Sequence, residues 1–517
     1  MSIDLQGRSQ GRIGSLLFVI AFISLSWWVD YPTTFTEPPQ SVHTWRQTNG
    51  LSITQMYFQH NLPLFQPEIH NQISAQGLSG KTAGEFPILY YVTAQYWKLA
   101  GKSEASFRLL HLVILFAGLL LLFRLLTGIT GDMVGSGFVS MLVFTSPMVV
   151  FYGPNFLPDV PSLAFVFVAW YFLYRFTVSR NYASLVVSAL FFTLALTLKI
   201  TSALSFIAIA GWVILELLVV KPKDRVFSFR WIHILPFLTG GLLVLLWYLY
   251  VESYNALHGG SFSYHGIWPV WNMSSEQFGR ITDALDKIWF KEFFWPPLQY
   301  ATFGIWLVLL FGIKKLPPFF GYLLVVMPLG LLGILLLWFQ VLEGHDYYMI
   351  TQIQVLVVVW GIFFYFLRRL KCKGYAFRLL PMAAIFLFLA FNARERHLAR
   401  YQGWMNEGYK VNLEALTEIE PSFELWGIGP DDKVISIPDN SINASLYYMN
   451  RKGYTNFASD FSTDEEFLRR IRQGAKYMIV NDSTLLQSSP VQLYTNYLVG
   501  VYRNVTVYDL RPYLQEE

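Results

Sequence analysis

The chain has 517 residues, of which 54% are hydrophobic, 18% aromatic and only 14% charged, with a mean hydropathy of +0.40. Soluble domains carry about 25% charged residues, so this composition excludes an ordinary soluble enzyme and points to a multi-span α-helical membrane protein. The net charge of +4 gives no footing for a nucleic-acid partner, and a single cysteine, Cys372 in "RRLKCKGYAFR", excludes an intramolecular disulfide.

Apolar runs able to cross about 30 Å of hydrocarbon recur near 13–30, 106–127, 134–152, 161–178, 182–198, 201–220, 231–251, 298–313, 319–340, 349–367 and 377–392, about eleven transmembrane helices. The first follows Arg8 and Arg12 and has no small-residue cleavage site after it, so it is expected to remain as a signal anchor. With the amino terminus cytoplasmic, the strongly basic connections all fall inside: Arg124, then Arg175 and Arg180, then Lys221 to Arg230, then Lys314 and Lys315, then Arg368 to Arg378. The opposite side receives the outer loop 31–105, the link "GPNFLPDVPS", the segment 252–297, the link "LEGHDYYM" and everything after about 393; the basic "NARERHLAR" is the one stretch at odds with this threading.

The tail changes character. "DDKVISIPDNSINASLYYMNRKGY" reads as a strand, a turn and a helix, and "STDEEFLRRIRQGAKYMIVND" as a capped helix running to Gly474 and then a buried strand. The expected division is a transmembrane catalytic region, 1–392, and a small extracytoplasmic α/β domain, 393–517. The tail holds no Gly-rich phosphate loop or catalytic dyad, which suits a packing or acceptor-docking module, and no internal repeat is evident.

Four polar patches fall on the outer side. "SVHTWRQT" carries His43, Trp45, Arg46 and Gln47; Glu85 precedes Phe86-Pro87 and an aromatic run expected to lie as an interfacial helix. Asp159 sits between Pro158 and Pro161, and "LEGHDYYMI" gathers His345, Asp346, Tyr347 and Tyr348 at a span boundary. Singly these read as caps, turn formers or an aromatic belt. Together they suit transfer of a sugar from a membrane lipid phosphate, which needs a cation for the phosphate leaving group and a base for the attacking hydroxyl. Arg46 is the expected cation, since guanidinium pairs bidentately with phosphate, and Glu85, Asp159 or His43 the expected base, with Trp45, Gln47, His345, Asp346 and Tyr347 as substrate contacts. A divalent ion could supplement the cation, although no ligand spacing identifies a metal.

The order and spacing of "HTWRQ", "EFPILYY", "SPMVVFYGPNFLPD" and "HDYY" resemble the glycosyltransferase C superfamily, in particular the bacterial group related to lipid A aminoarabinose transferases and protein O-mannosyltransferases; the resemblance covers about residues 10–392. It implies an inverting transferase that uses a polyprenyl-phosphate sugar on the extracytoplasmic face, with a lipid, glycan or protein acceptor, in the inner membrane. On this resemblance Glu85 matches the acid of the first outer loop and Asp159 that of the second, and the segment 252–297, with His258, Tyr264 and His265, would cover the cavity as a lid. The chain departs from the pattern twice: His43 and Arg46 stand where relatives have an acid soon after the first span, with Asp30 and Glu37 further upstream, and Phe86 follows Glu85 where the aminoarabinose transferases have Lys.

Two other classes compete. A transporter or lipid flippase would place ionisable groups near the bilayer midplane, whereas here most lie at the outer boundary and Lys199 is the main exception. A structural or assembly protein would do its binding through the tail alone.

Overall fold

The computed structural model describes residues 5–221, 225–260, 266–370, 378–457 and 461–514; Tyr264, His265 and Cys372 lie outside the described residues. Among the described residues, six helices are long and apolar enough to cross a membrane: Glu104–Thr130, Asp159–Ser179, Ile200–Leu218, Trp231–His258, Pro318–Glu343 and Asp346–Arg369. A pair bent by 85°, Ser275–Phe293 with Pro296–Phe311, makes seven if counted as one span, and Arg12–Trp28, Met133–Phe144 and Tyr182–Leu198 are apolar but shorter. The run expected as one span over 134–152 is divided. Met133–Phe144 stops at Thr145 and a second helix, Pro147–Tyr152, starts on a proline whose missing N–H cannot extend the first ladder. At 1.5 Å per residue the 12-residue piece is about 18 Å long, well short of the hydrocarbon thickness.

The chain packs as two compact units, one from Met1–Phe35, Arg108–Tyr248 and Gly266–His397, the other from Thr36–Phe107, Leu249–His265 and Leu398–Glu517. In the first, Glu104–Thr130 approaches Asp159–Ser179 closely at Gly118, where a Cβ would stand 2.7 Å from the Ala164 Cα; small residues replace hydrophobic drive at such contacts in lipid. Asp159–Ser179 and Tyr182–Leu198 form an antiparallel hairpin whose turn is made by Arg180 in the left-handed region (φ 55°) and by the Asn181 side chain, which accepts from the Ala183 N–H at 3.0 Å. Two hydroxyls bind carbonyls across it, Ser162 to Ala195 and Ser188 to Ala169, each at 2.8 Å. Because the two helices are 21 and 17 residues long, the hairpin returns the end of the second to the beginning of the first. Elsewhere in this unit buried Glu216 accepts from the Trp212 indole at 3.0 Å and from the backbone N–H groups of Val226, Phe227 and Phe229 at 3.0, 3.1 and 3.1 Å, so one carboxylate ties down the stretch 226–229.

The second unit is built on a five-stranded sheet in the order β2-β1-β3-β5-β4, with β1 Lys433–Ile437, β2 Gly453–Tyr454, β3 Ala475–Val480, β4 Leu498–Tyr502 and β5 Val505–Asp509. β1 runs parallel to β2 and β3, and β5 antiparallel to β3 and β4. Alternate residues serve two cores: Ile435, Ile437, Met478 and Val480 pack with Phe467 and Ile471, whereas Val434, Tyr477 and Ile479 pack with Leu416 and Phe423. The helix Asp464–Arg472 begins on a Thr463 cap, with acids in its first turn and arginines in its last, and ends before Gly474 at φ 99°.

The first outer loop joins this sheet. Gln72 N–H donates to the Gly453 carbonyl at 2.8 Å and Gly453 N–H to the His70 carbonyl at 3.2 Å, so the loop extends the sheet beyond β2. Asn71 anchors it, with Nδ2 donating to the Ile442 carbonyl (2.8 Å) and to Thr455 Oγ1 (3.0 Å), and its N–H to Asn443 Oδ1 (3.1 Å). Gly453 is required there: a Cβ would lie 1.9 Å from the Val434 carbonyl oxygen.

Candidate active site

In the second unit, the "SVHTWRQT" stretch opens the helix Thr44–His60. His43 precedes it in the left-handed region (φ 59°), Thr44 Oγ1 donates to the Ser41 carbonyl at 2.6 Å, and the Gln47 amide donates to the carbonyls of Gln40 (2.8 Å) and Val42 (3.1 Å). Gln47, expected as a substrate contact, thus braces the turn that presents its neighbour, while Trp45 is exposed. Arg46, in the first turn, reaches Glu85: Nη2 lies 2.7 Å from Oε1, with both side chains 11% exposed.

Glu85 is held from both sides in sequence. Two residues before it, Ala83 exchanges a reciprocal pair of hydrogen bonds with the Asn255 side chain, 2.8 Å each way. Two residues after it, Pro87 caps the helix Ile88–Ala100, whose Tyr90 hydroxyl donates back to Glu85 Oε1 at 2.5 Å. Burial pushes the Glu85 carboxyl up, but the Arg46 charge and the hydrogen bonds from Tyr90 and Arg46 outweigh it and hold the group below its ordinary value. The result is a carboxylate kept ionised, paired with a cation of the type that recognises phosphate.

A second cluster lies in the first unit. Asp159 begins its helix after Pro158 and is fully buried, and the hairpin brings Lys199, at the end of Tyr182–Leu198, to 2.9 Å from its Oδ1. The Lys199 ammonium lies 3.8 Å from the centre of the Tyr348 ring and 4.8 Å from that of Tyr347, so two aromatic faces and one carboxylate fix it. His345 stacks on Tyr347, ring centres 5.5 Å apart, and Asp346 accepts from the Tyr152 hydroxyl at 2.6 Å. Arg108 secures the link ahead of Asp159: its Nη1 donates to the Pro154 carbonyl at 3.0 Å and its guanidinium lies over Phe156.

The residues singled out in the sequence therefore gather in two groups. His43, Trp45, Arg46, Gln47 and Glu85 belong to one, and Asp159, His345, Asp346 and Tyr347 to the other; His265 lies outside the described residues. Sequence reasoning missed Lys199 as the partner of Asp159 and Tyr90 as the partner of Glu85. The signal for Lys199 was available, since two apolar runs of similar length joined by a short turn bring residues some forty apart together. Among the described residues, no group of three or more His, Cys, Asp and Glu side chains could hold a metal ion.

Residues 84–250 match the family described as dolichyl-phosphate-mannose-protein mannosyltransferase, a segment that starts one residue before Glu85 and includes Asp159 and Lys199. In fold the chain is similar to ArnT from Cupriavidus metallidurans in the apo state (TM-score 0.60, 11% identity, covering 97% of this chain and 98% of that one). It is similar also to the same protein bound to undecaprenyl phosphate (TM-score 0.56, 12% identity, 96% and 97%). A third likeness is to the archaeal oligosaccharyltransferase AglB from Archaeoglobus fulgidus, in complex with an inhibitory peptide and a dolichol-phosphate (TM-score 0.51, 14% identity, 97% and 75%). No curated protein sequence matches the chain significantly. The fold is shared with ArnT and AglB, and these likenesses and the matched mannosyltransferase segment agree with the resemblance carried by the motifs of the sequence.

Proposed function

We propose that the chain is a membrane glycosyltransferase that moves a sugar from a polyprenyl-phosphate donor to a lipid, glycan or protein acceptor, with inversion at the anomeric carbon. The observation that carries this reading is the Arg46–Glu85 pair, a guanidinium and a carboxylate 2.7 Å apart and each about nine-tenths enclosed, on a loop outside the long apolar helices. A phosphate arriving at Arg46 competes with Glu85 for the same cation. As the guanidinium turns to the phosphate, Glu85 loses the charge that holds its pKa down, and burial makes it a stronger base.

In that step the acceptor hydroxyl oxygen attacks the anomeric carbon and passes its proton to Glu85. The bond between that carbon and the phosphate oxygen breaks, and its electrons leave with the phosphate, whose charge Arg46 neutralises. A single displacement of this kind inverts the configuration. Asp159 acts as a positioning residue for Lys199, a second cation for an anionic group, with Tyr347 and Tyr348 as its floor, His345 stacked on Tyr347 and Asp346 bound to the Tyr152 hydroxyl. His43 fixes the turn into the Arg46 helix, and Trp45 sits at the headgroups. A divalent cation, if one takes part, would add to these charges.

The matched mannosyltransferase segment and the likeness to a protein solved with undecaprenyl phosphate support the donor class. With the shorter apolar helices and Leu379–Arg400 also embedded, the chain would reach the eleven spans expected, in an inner membrane, with the amino terminus cytoplasmic and the tail 393–517 outside. The test is transfer by purified protein in detergent, without any gradient, from a labelled polyprenyl-phosphate sugar. Activity there excludes a purely transport role. Full activity in all of Arg46→Ala, Glu85→Ala and Asp159→Ala, each folded and membrane-inserted, would overturn the assignment of the site.

A further inference from the structure

A cavity of about 170 Å³ in the second unit includes neither Arg46 nor Glu85. Three stretches distant in sequence converge on it: Met56, Gln59 and His60 from the last turns of Thr44–His60, His70 from the segment that joins the sheet at β2, and a pair of tail turns bearing Asp431 and Lys452. Its volume is well below the roughly 300–1,000 Å³ of pockets for drug-sized ligands, which suits one small ring.

The chemistry of the lining is decided by His70. The ring is 1% exposed, and the Ser52 hydroxyl accepts from the His70 backbone N–H at 3.0 Å while lying 2.8 Å from Nδ1. A hydroxyl that accepts from the backbone donates its own proton onward, so Nδ1 is the acceptor and the ring proton sits on Nε2. Burial, helped by the nearby Lys102, drives the imidazole pKa down to about 3, so the ring is neutral. Beside it stands the Asn450 amide, whose oxygen also accepts from Gln55 and Gln59. The ring therefore enters the cavity wall as a neutral, uncharged group beside the Asn450 amide.

The rest of the lining narrows the occupant. Asp431 and Lys452 supply one charge of each sign, Gln59 an amide, and Met56 and Pro430 an apolar face. A phosphate is disfavoured by the carboxylate and by a histidine held neutral. A ligand with hydroxyls that both donate and accept, and with C–H faces to lay on Met56 and Pro430, satisfies every group. We infer that this cavity binds one pyranose ring of a glycan, a sugar subsite built jointly by the first outer loop and the tail. A sugar would bind here whether or not the chain transfers one, so the two readings fail separately.

The test is saturation-transfer-difference NMR on the full-length protein in detergent with the methyl pyranosides of glucose, galactose, mannose and N-acetylglucosamine, at a few mM, the range of a weak single-ring site. At least one glycoside is expected to receive saturation. Its affinity should fall about tenfold in Asp431→Ala and in Lys452→Ala, each losing one or two hydrogen bonds, while Arg46→Ala leaves it unchanged. Both altered residues are partly or fully exposed, and unchanged melting curves would show that the variants fold. No saturation with any of the four glycosides, or saturation indifferent to both substitutions, overturns the proposal. Displacement of the glycoside by millimolar inorganic phosphate, lost in Lys452→Ala, would also overturn it by making the cavity an anion site.

Discussion

Lys199→Met removes the ammonium 2.9 Å from Asp159 and leaves a fully buried carboxylate with no other ion pair among the described residues. Breaking a buried pair from one side costs about 3–5 kcal/mol, because the remaining charge is stranded in a poorly polarisable interior. Lys199 is itself 12% exposed, so some water reaches the pair and the lower end, about 3 kcal/mol, is the expected loss. At about 2 °C per kcal/mol for a large chain, the melting temperature, followed through tryptophan fluorescence in detergent, should fall by roughly 6 °C. Adding Asp159→Asn removes the stranded charge, and the double variant should recover most of that loss while staying inactive in sugar transfer. Two results would refute the reasoning: a Lys199→Met protein that melts with the wild type, or a double variant no more stable than the single one.

Further tests address the other contacts. Glu85 is held below its ordinary 4.5, so its ionised form stabilises the folded chain fully above about pH 4.5 and that contribution is lost as the pH falls through the lowered folded value; in Arg46→Ala burial dominates and raises the folded value, so the acid limb of stability should flatten and that of activity should move to higher pH. Tyr90→Phe should change them the same way by less, and acid limbs that stay put in both variants would remove Arg46 and Tyr90 as the cause. Gly118→Leu drives a side chain into Ala164 and should prevent the first unit from packing, seen as loss of monodisperse protein, whereas Gly279→Ala, in open space, should be silent. Glu216→Ala strands four donors and should cost several kcal/mol by thermal melting, at about 1–3 kcal/mol for each buried donor left unpaired. A loss under about 1 kcal/mol there would mean that water serves those N–H groups as well as the carboxylate does.

Much of the helical layout was legible because the hydrocarbon length leaves a direct mark on the sequence: the run 182–198 coincides with its helix, and 161–178 differs by a residue or two at each end. The strand and helix pattern of the tail was legible for a similar local reason, from the Thr463 cap through Gly474 to the apolar run 475–480. Pairings were less accessible. Arg46 and Glu85 were chosen for what their side chains can do, but their ion pair depends on the path of the chain between them, which no local period encodes. Lys199 stood at the end of an apolar run and read as a residue within the membrane; only the return of the hairpin gives it Asp159. The break at Thr145 was hidden because a short interruption inside a uniformly apolar stretch leaves hydropathy unchanged, although Pro147 was its visible cause.

The hydrogen bonds from Asn71 to Asn443 and Thr455 also set a timetable. Their partners are separated by 372 and 384 residues, so at translation rates of about 5–20 residues per second the loop waits roughly 20–75 s for them to be made. Until then the segment behind Arg46 and Glu85 has no sheet to join. Those contacts therefore cannot form until the tail has been made, and a chain cut short of it would leave the loop that carries Arg46 and Glu85 without the sheet it joins.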